Sequence, residues 1–293
     1  MFFMITNEQA LRRLQADIQL RGMAASTLKS YMTHLRLFLA QCGKPVEELD
    51  EMDVRVFLRR LIVEKKLAPS TVNGYSAAIR FFFAVTLNRN MNYLQIPRVK
   101  KPKKLPEILS RDEVSELIAH CGNLKHRALL LTAYGSGLRV SELASLKVTD
   151  IDSKAMRILV RGGKGQKDRY TILSQASLST LRKYWLKYRP KSPEGYLFPG
   201  MKNVGHITVD AINRAVTLAA NRAGIKKHIS PHTLRHCFAT HLLEDGLSLF
   251  QIKALLGHAS LSSTTVYLHL ADTTSDVVSP ADRMPEKFQD CAL

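Results

Sequence analysis

The run Met156-Arg157-Ile158-Leu159-Val160-Arg161-Gly162-Gly163-Lys164-Gly165-Gln166-Lys167-Asp168-Arg169-Tyr170-Thr171-Ile172 decides the fold class. Met156, Ile158 and Val160 alternate with Arg157, Leu159 and Arg161, the two-residue period of a strand that buries one face. Gly162 to Gln166 turns the chain, and Tyr170 and Ile172 resume the alternation, so the run predicts a β-hairpin with Lys164 near its tip. Nearly everything around it repeats every three to four residues instead. The chain is therefore predicted to be mainly α, with a small β-sheet in its second domain.

Downstream of the hairpin, helical stripes cover 175–188, 208–223 (ended by Gly224), 232–245 and 249–256 (ended by Gly257). Upstream, Ser110-x-x-Glu113 is a capping box that opens this domain and points Val114, Leu117 and Ile118 inward. The second domain is assigned to residues 109–273. A tail, 274–293, follows; Ser279-Pro280 and Met284-Pro285 interrupt any long helix there.

Residues 1–97 read as four helices. The first carries Leu11, Leu14 and Ile18 and stops at Gly22. Ser26 is positioned to cap the second, with Leu28, Tyr31, Leu35 and Phe38 on one face and Gly43 at its end. Val54, Phe57, Leu58, Leu61 and Ile62 mark the third. Pro69-Ser70 opens the fourth, which carries Val72, Ile79, Phe82 and Phe83. The four stripes enclose a helical core and leave Lys29, Arg36, Arg59, Arg60 and Arg80 for the outside.

Between the domains, residues 98–108 hold Lys100, Lys101, Lys103 and Lys104 among prolines, which forbids regular structure and extends the segment by charge repulsion. It reads either as a solvated surface loop or as a basic strap for a chain that passes around a DNA duplex. Across the 293 residues, 43 Lys and Arg against 25 Asp and Glu leave a net charge of +18. Such a surplus attracts a polyanion and releases its counterions, which makes nucleic acid the leading partner over anionic lipid or a merely solvated basic surface. The apolar start, Met1 to Ile5, is too short for a signal-peptide core, and no run approaches a membrane span, so no membrane partner is expected. Cys42, Cys121, Cys237 and Cys291 are scattered without a C-x-x-C pair, as expected of a protein in a reducing cytoplasm.

Five segments of the second domain carry more polar specificity than packing requires: Gly137-Leu138-Arg139-Val140-Ser141-Glu142, the Lys164 turn, His232-Thr233-Leu234-Arg235-His236, Leu256-Gly257-His258, and Thr264-Thr265-Val266-Tyr267-Leu268-His269. Together they supply what phosphodiester transfer without metal requires. Negative charge grows on two nonbridging oxygens as a nucleophile approaches phosphorus, and two guanidinium forks, Arg139 and Arg235, suit that charge. Lys164 on a hairpin tip suits the acid that protonates the departing 5′ oxygen. Tyr267 suits the nucleophile; its ordinary pKa of about 10 means a proton must leave during attack. His232 and His258 share the remaining tasks, one as proton acceptor and one as donor to phosphate.

Each residue has a plainer reading. Tyr267 alone is a packing residue, and Gly-Gly-Lys-Gly suits any polar turn without the spacing of a nucleotide-binding loop. His232 and His236, four apart on a helix, invite zinc, but no Glu follows His232 and no third ligand is evident, so neither metal nor cofactor is expected and His236 is assigned to packing. Glu142 is expected to support Arg139 through an ion pair. His269 stays open between a surface role and a supporting one.

In this order the five segments resemble the tyrosine recombinase, or phage integrase, family, and within it the bacterial Xer-like members. The family's Gly-Leu-Arg-x-Ser-Glu, Gly-Lys-Gly-x-Lys, His-x-Leu-Arg-His, Leu-Gly-His and Thr-x-x-Tyr motifs are matched at Arg139, Lys164, His232, Arg235, His258 and Tyr267. Ser26 to Tyr31 and Ser70 to Asn73 look like its core-binding helices, so the resemblance runs from about residue 5 to 271. It implies an N-terminal helical core-binding (SAM-like) domain and a C-terminal catalytic domain forming a C-shaped clamp on double-stranded DNA recombination sites. It further implies four protomers on two sites, a homo-tetramer or a mixture with a related recombinase or accessory protein. Strands would be exchanged through a 3′-phosphotyrosyl intermediate and a four-way junction, for integration or excision of a mobile element or for dimer resolution. A terminal helix docked into a neighbour is a further family feature, against which the tail's prolines argue. Two other functions stand beside this one: a type IB topoisomerase-like relaxing enzyme, and a catalytically inactive DNA-binding accessory protein.

Overall fold

The computed structural model describes residues 5–89, 91, 98–100, 106–162, 168–258 and 260–270. Lys101, Lys103, Lys104, Lys164, the side chain of His269 and the 274–293 tail lie outside the described residues. The chain divides into two compact units, Met1–Lys103 and Lys104–Leu293.

Four helices build the first unit: α1 (Asn7–Leu20), α2 (Ala25–Cys42), α3 (Glu51–Val63) and α4 (Pro69–Phe81). Leu14, Ile18, Leu35, Phe38, Val54, Phe57, Leu61, Val72 and Ile79 meet in one core. Phe38 sits edge-on to Phe57 with ring centroids 5.2 Å apart, an arrangement that adds to the area buried. A π turn over Phe82–Thr86 continues α4, and its wider winding lets the consecutive Phe82 and Phe83 both face inward.

Three details differ from the sequence reading. Helix α2 begins at Ala25, with Ala24 at the cap position and no side-chain cap bond, so Ser26 lies inside the first turn. Arg80 is half-buried rather than outside. Helix α4 packs against both α2 and α3, and little of its circumference is left for solvent. Val99, assigned to the linker, is fastened to this unit: the Asn73 amide donates to its carbonyl and accepts from its N–H, both at 2.9 Å.

In the second unit, α6 (Leu124–Ser136) runs through the middle, with Ala128, Leu129, Leu130, Thr132, Ala133 and Ser136 buried around most of its circumference. Packed around it are α5 (Arg111–Ala119), α7 (Val140–Ala144), α8 (Gln175–Tyr188), α9 (Val209–Arg222) and α10 (Pro231–Glu244), while α11 (Leu249–Leu256) lies against α10. The Ser110–Glu113 capping box forms as expected at the start of α5. Residues just before it are held to this unit: Lys227 Nζ donates to the Ile108 carbonyl, and the Leu109 N–H donates to Cys237 Sγ.

The sheet is antiparallel, in the order β1 (Ile151–Asp152), β2 (Arg157–Val160), β3 (Arg169–Ile172). Strand β1 was not anticipated, since two residues are too few to show alternation. On β3 the inward residue is polar: Thr171, paired with Ile158, is buried and donates to the Ser136 carbonyl at 2.7 Å. Tyr170 points outward beneath the Arg157 guanidinium, 4.3 Å from its ring.

Candidate active site

Helix α10 starts sharply because Pro231 occupies its first position and Ser230 caps it through the Thr233 N–H. His232, Arg235 and His236 follow at helical positions i, i+3 and i+4, so they share a face. Helix α11 ends at Gly257 in the left-handed conformation, φ +64°, which turns the chain toward His258. A 3₁₀ turn, Thr265–His269, then brings Tyr267 against Phe238, Ala239, Ile252 and Leu256.

The end of α11 organises the arginines. Three successive carbonyls each accept from a different guanidinium: Leu255 from Arg169 Nε (2.9 Å), Leu256 from Arg235 Nη2 (2.7 Å) and Gly257 from Arg139 Nη2 (3.1 Å). Helix-terminal carbonyls have no partner within the helix and carry its negative end, so they suit cations. Arg235, 1% exposed, also donates from Nη1 to the Gly137 carbonyl at 2.6 Å. Its Nε–H is buried without a hydrogen-bond partner among the described residues. Burial, and then the neighbouring Arg139 charge, bring Arg235 down to about 10.

Glu142 joins two of these arginines. Its carboxylate accepts from Arg139 Nη1 at 2.7 Å and from both Arg169 terminal nitrogens at 2.9 and 2.8 Å, while the Arg139 backbone N–H adds a fourth bond at 2.8 Å. Burial pushes this carboxyl up, but the Arg169 and Arg139 hydrogen bonds and charges outweigh burial and hold it at about 2. The expected Arg139–Glu142 pair is thus present, and Arg169, which the sequence reading passed over, is its second partner. Only its place just beyond the hairpin turn hinted at this.

Tyr267 is 1% exposed. Burial raises its phenol pKa, against the opposing pull of Arg235 and Arg139. The ring of His258 stacks near it, with centroids 6.4 Å apart, and His258 Nδ1 is engaged with Thr264 Oγ1 at 2.9 Å. Burial, with Arg235 and Arg139 next, takes His258 down to about 4. The imidazole nearest the Tyr267 hydroxyl is that of His236, whose Nδ1 lies 3.2 Å from it. His232 is exposed and meets His236 edge-on, with ring centroids 4.4 Å apart. Arg139, His232, Arg235, His258 and Tyr267 therefore converge. Lys164 lies outside the described residues, but its hairpin is secured at the base by Arg161 Nε on buried Asp150 (2.7 Å) and the Gly162 N–H on Asp168 (2.8 Å). Among the described residues, no group of three His, Cys, Asp or Glu side chains is arranged to hold a metal ion.

Gly257 permits close approach as well as a positive φ. A Cβ there would lie 2.7 Å from Arg169 Cδ and 2.9 Å from its Nε. Arg169 is pinned by its bonds to Glu142 and Leu255 and cannot swing aside freely. We expect Gly257→Ala to cost about 2 kcal/mol in a denaturant melt; wild-type stability would contradict this account.

The profile of the phage integrase family matches residues 107–274, and that of the N-terminal SAM-like domain of phage integrases matches residues 11–93. The chain belongs to the phage integrase family. A putative integrase/recombinase of Sinorhizobium fredii is 44% identical over 276 residues, covering 94% of this chain and 89% of its own. A tyrosine recombinase of Thermosipho africanus is 34% identical over 263 residues, with 86% and 91% covered. Among solved structures, the fold resembles that of the XerH site-specific recombinase bound to its difH substrate, with a TM-score of 0.69 at 24% identity over 89% of this chain and 80% of that one. The integrase is an Xer-like tyrosine recombinase, an enzyme of site-specific DNA recombination, and the topoisomerase and inactive-accessory alternatives are not favoured. No helix among its described residues is long and apolar enough to cross a membrane.

Proposed function

We propose that the integrase cuts double-stranded DNA by attack of Tyr267 on a phosphodiester, leaving a 3′-phosphotyrosyl bond and a free 5′ hydroxyl, and rejoins the strands to a partner through a four-way junction. The observation that carries this reading is the gathering of Arg139 and Arg235 around one carboxylate and one helix end, near enough to the Tyr267 phenol for both charges to act on it. Among the described residues Arg235 presents a buried N–H without a partner, as expected of a group that completes its bonding on a phosphate oxygen. Arg139 is partly exposed, and its fork is the second arm of the clamp. Where the sequence divides proton acceptance and donation to phosphate between His232 and His258, neither ring is within hydrogen-bond reach of the Tyr267 hydroxyl among the described contacts, so both are proposed as donors to the phosphate, and Glu142 supports the arginines.

The double-stranded DNA partner is supported by the charge of +18 and by the DNA-bound XerH structure of similar fold. For backbone contacts we propose Lys29, Arg36, Arg59, Arg60 and Lys100, all exposed, with Lys101, Lys103 and Lys104 of the strap. Arg60 is also paired with Glu64 at 2.9 Å, and Arg80 is half-buried. A tetramer on paired sites, a boundary scheme of 1–97, 98–108, 109–273 and 274–293, and a reducing cytoplasmic setting for the free thiols complete the proposal. A plasmid with two copies of a DNA site selected by covalent capture tests it. Recombinant circles that need both copies are expected; relaxation of a one-site plasmid without recombinants would overturn it in favour of a relaxing enzyme.

Lys164 is proposed as the acid that protonates the 5′ oxygen. Lys164→Ala should slow cleavage of ordinary DNA about 100-fold or more, while DNA with a 5′-bridging sulfur, whose thiolate leaves unaided, should be cut nearly as fast as by wild type. Equal slowing on both substrates would remove Lys164 from this role.

A further inference from the structure

Sequence spacing gave His236 to packing, yet its Nδ1 is the hydrogen-bonding partner of the Tyr267 hydroxyl among the described residues, at 3.2 Å. The other two imidazoles are placed differently. His258 directs Nδ1 to Thr264, and His232 turns its ring edge-on to His236. From this geometry we infer that His236 is the base that receives the Tyr267 proton during strand cleavage. The inference rests on Tyr267 being the nucleophile.

The groups are in suitable states for it. The buried phenol keeps its proton at rest and has one to give. Burial, followed by the neighbouring His232 and Arg235, lowers His236 to about 4, so its ring is neutral near pH 7 and can accept. With the ring proton on Nε2, the phenol O–H donates to Nδ1. During attack the Tyr267 oxygen–phosphorus bond forms, the bond from phosphorus to the 5′ oxygen breaks, and the phenolic proton passes to Nδ1. The leaving oxygen takes a separate proton from the general acid. The negative phosphodiester, held by Arg139 and Arg235 beside the new imidazolium, offsets the burial that disfavours its charge. Religation reverses each transfer: a 5′ hydroxyl attacks the phosphotyrosine, and His236 returns its proton to the departing phenolate. No metal, nucleotide or redox partner enters the balance.

Two variants separate a base from a mere anchor. Asn at position 236 places an amide oxygen near the Nδ1 position and can accept the phenol's hydrogen bond, but it cannot carry the proton away; Ala can do neither. With a nicked suicide duplex carrying a site captured by the wild-type protein, both His236→Asn and His236→Ala are expected to bind DNA normally and form the covalent adduct about 100-fold more slowly in single turnover. His236→Asn cutting within about threefold of wild type would overturn the inference, since a hydrogen-bond acceptor would then suffice. Wild type forming the adduct while Tyr267→Phe does not keeps the underlying reading intact, so a failure specific to His236 is distinguishable from failure of the nucleophile assignment. If neither position-236 variant binds DNA, ¹⁵N-histidine NMR of the wild-type protein decides. An unprotonated Nδ1 on His236 that shifts in Tyr267→Phe is expected, and a proton resident on that Nδ1 would refute the base role.

Discussion

Tyr267→Phe is expected to abolish the covalent protein–DNA adduct completely while leaving DNA binding and the fold in place. The substitution removes one oxygen and keeps the ring that packs on Phe238, Ile252 and Leu256. The hydrogen bond lost is the one with His236, and its removal from a buried position changes stability by about 1 kcal/mol. In the proposed mechanism phosphate binding depends on Arg139 and Arg235, which the substitution does not touch. A suicide substrate nicked near the crossover traps the cleaved strand, and a denaturing gel reads the adduct directly. An adduct that persists in Tyr267→Phe would place the nucleophile elsewhere and take the proposed mechanism with it.

Glu142→Gln is expected to have the largest combined effect on stability and activity. The carboxylate is 8% exposed and meets Arg139 and Arg169 at hydrogen-bond distance, with Arg235 Nη1 at 3.9 Å. Neutralising it leaves a cluster of like charges in a half-buried site, a change that costs about 3–5 kcal/mol for a broken buried pair. Because the Arg139 fork is released at the same time, cleavage should fall below detection in any fraction that still folds. The pH dependence has a definite sign. The folded carboxyl titrates at about 2, below its ordinary value of 4.5. Its contribution is therefore fully present above pH 4.5 and lost as pH falls toward 2, an acid-labile share of roughly 3 kcal/mol. Denaturant melts of wild type between pH 6 and 3 should show this loss, and Glu142→Gln should show a flatter acid limb. Parallel pH curves would mean that the arginines do not depend on this carboxylate.

Local signals in the sequence carried well into the structure. Pro231, the Ser110–Glu113 box and Gly257 mark helix ends through capping and backbone preference, which depend only on near neighbours. The Ile158/Val160 alternation placed the hairpin for the same reason. Thr171 broke the pattern because a buried hydroxyl found a carbonyl, Ser136, that lies far away in sequence. Ser26 looked like a cap by residue type, but the chain starts α2 one residue before it. Arg80 looked external because its charge suggested solvent, and the packing of α4 on two sides decided otherwise.

For the site, sequence reading named candidates but not the wiring between them. Arg169 and Glu142 are 27 residues apart, and no local period connects them. The three arginines on carbonyls 255, 256 and 257 become visible only once α10, β3 and the α6–α7 turn meet the end of α11. His236 was assigned to packing because a helical i, i+4 pair of imidazoles suggests either metal or packing, while its hydrogen-bonding partner Tyr267 arrives 31 residues later.

Tyr267 lies inside the C-terminal apolar cluster, and in the proposed mechanism that placement governs idle reactivity as much as stability. Moving a side chain of this size from the core to water costs about 2 kcal/mol, so an unoccupied enzyme seldom exposes its phenol. A basic protein that meets DNA everywhere is thereby kept from cutting wherever it lands. In the proposed mechanism, contacts that reward a cognate site must also open a path for the phosphodiester to the buried hydroxyl beside His236, which makes packing around one tyrosine a threshold between scanning and cleavage.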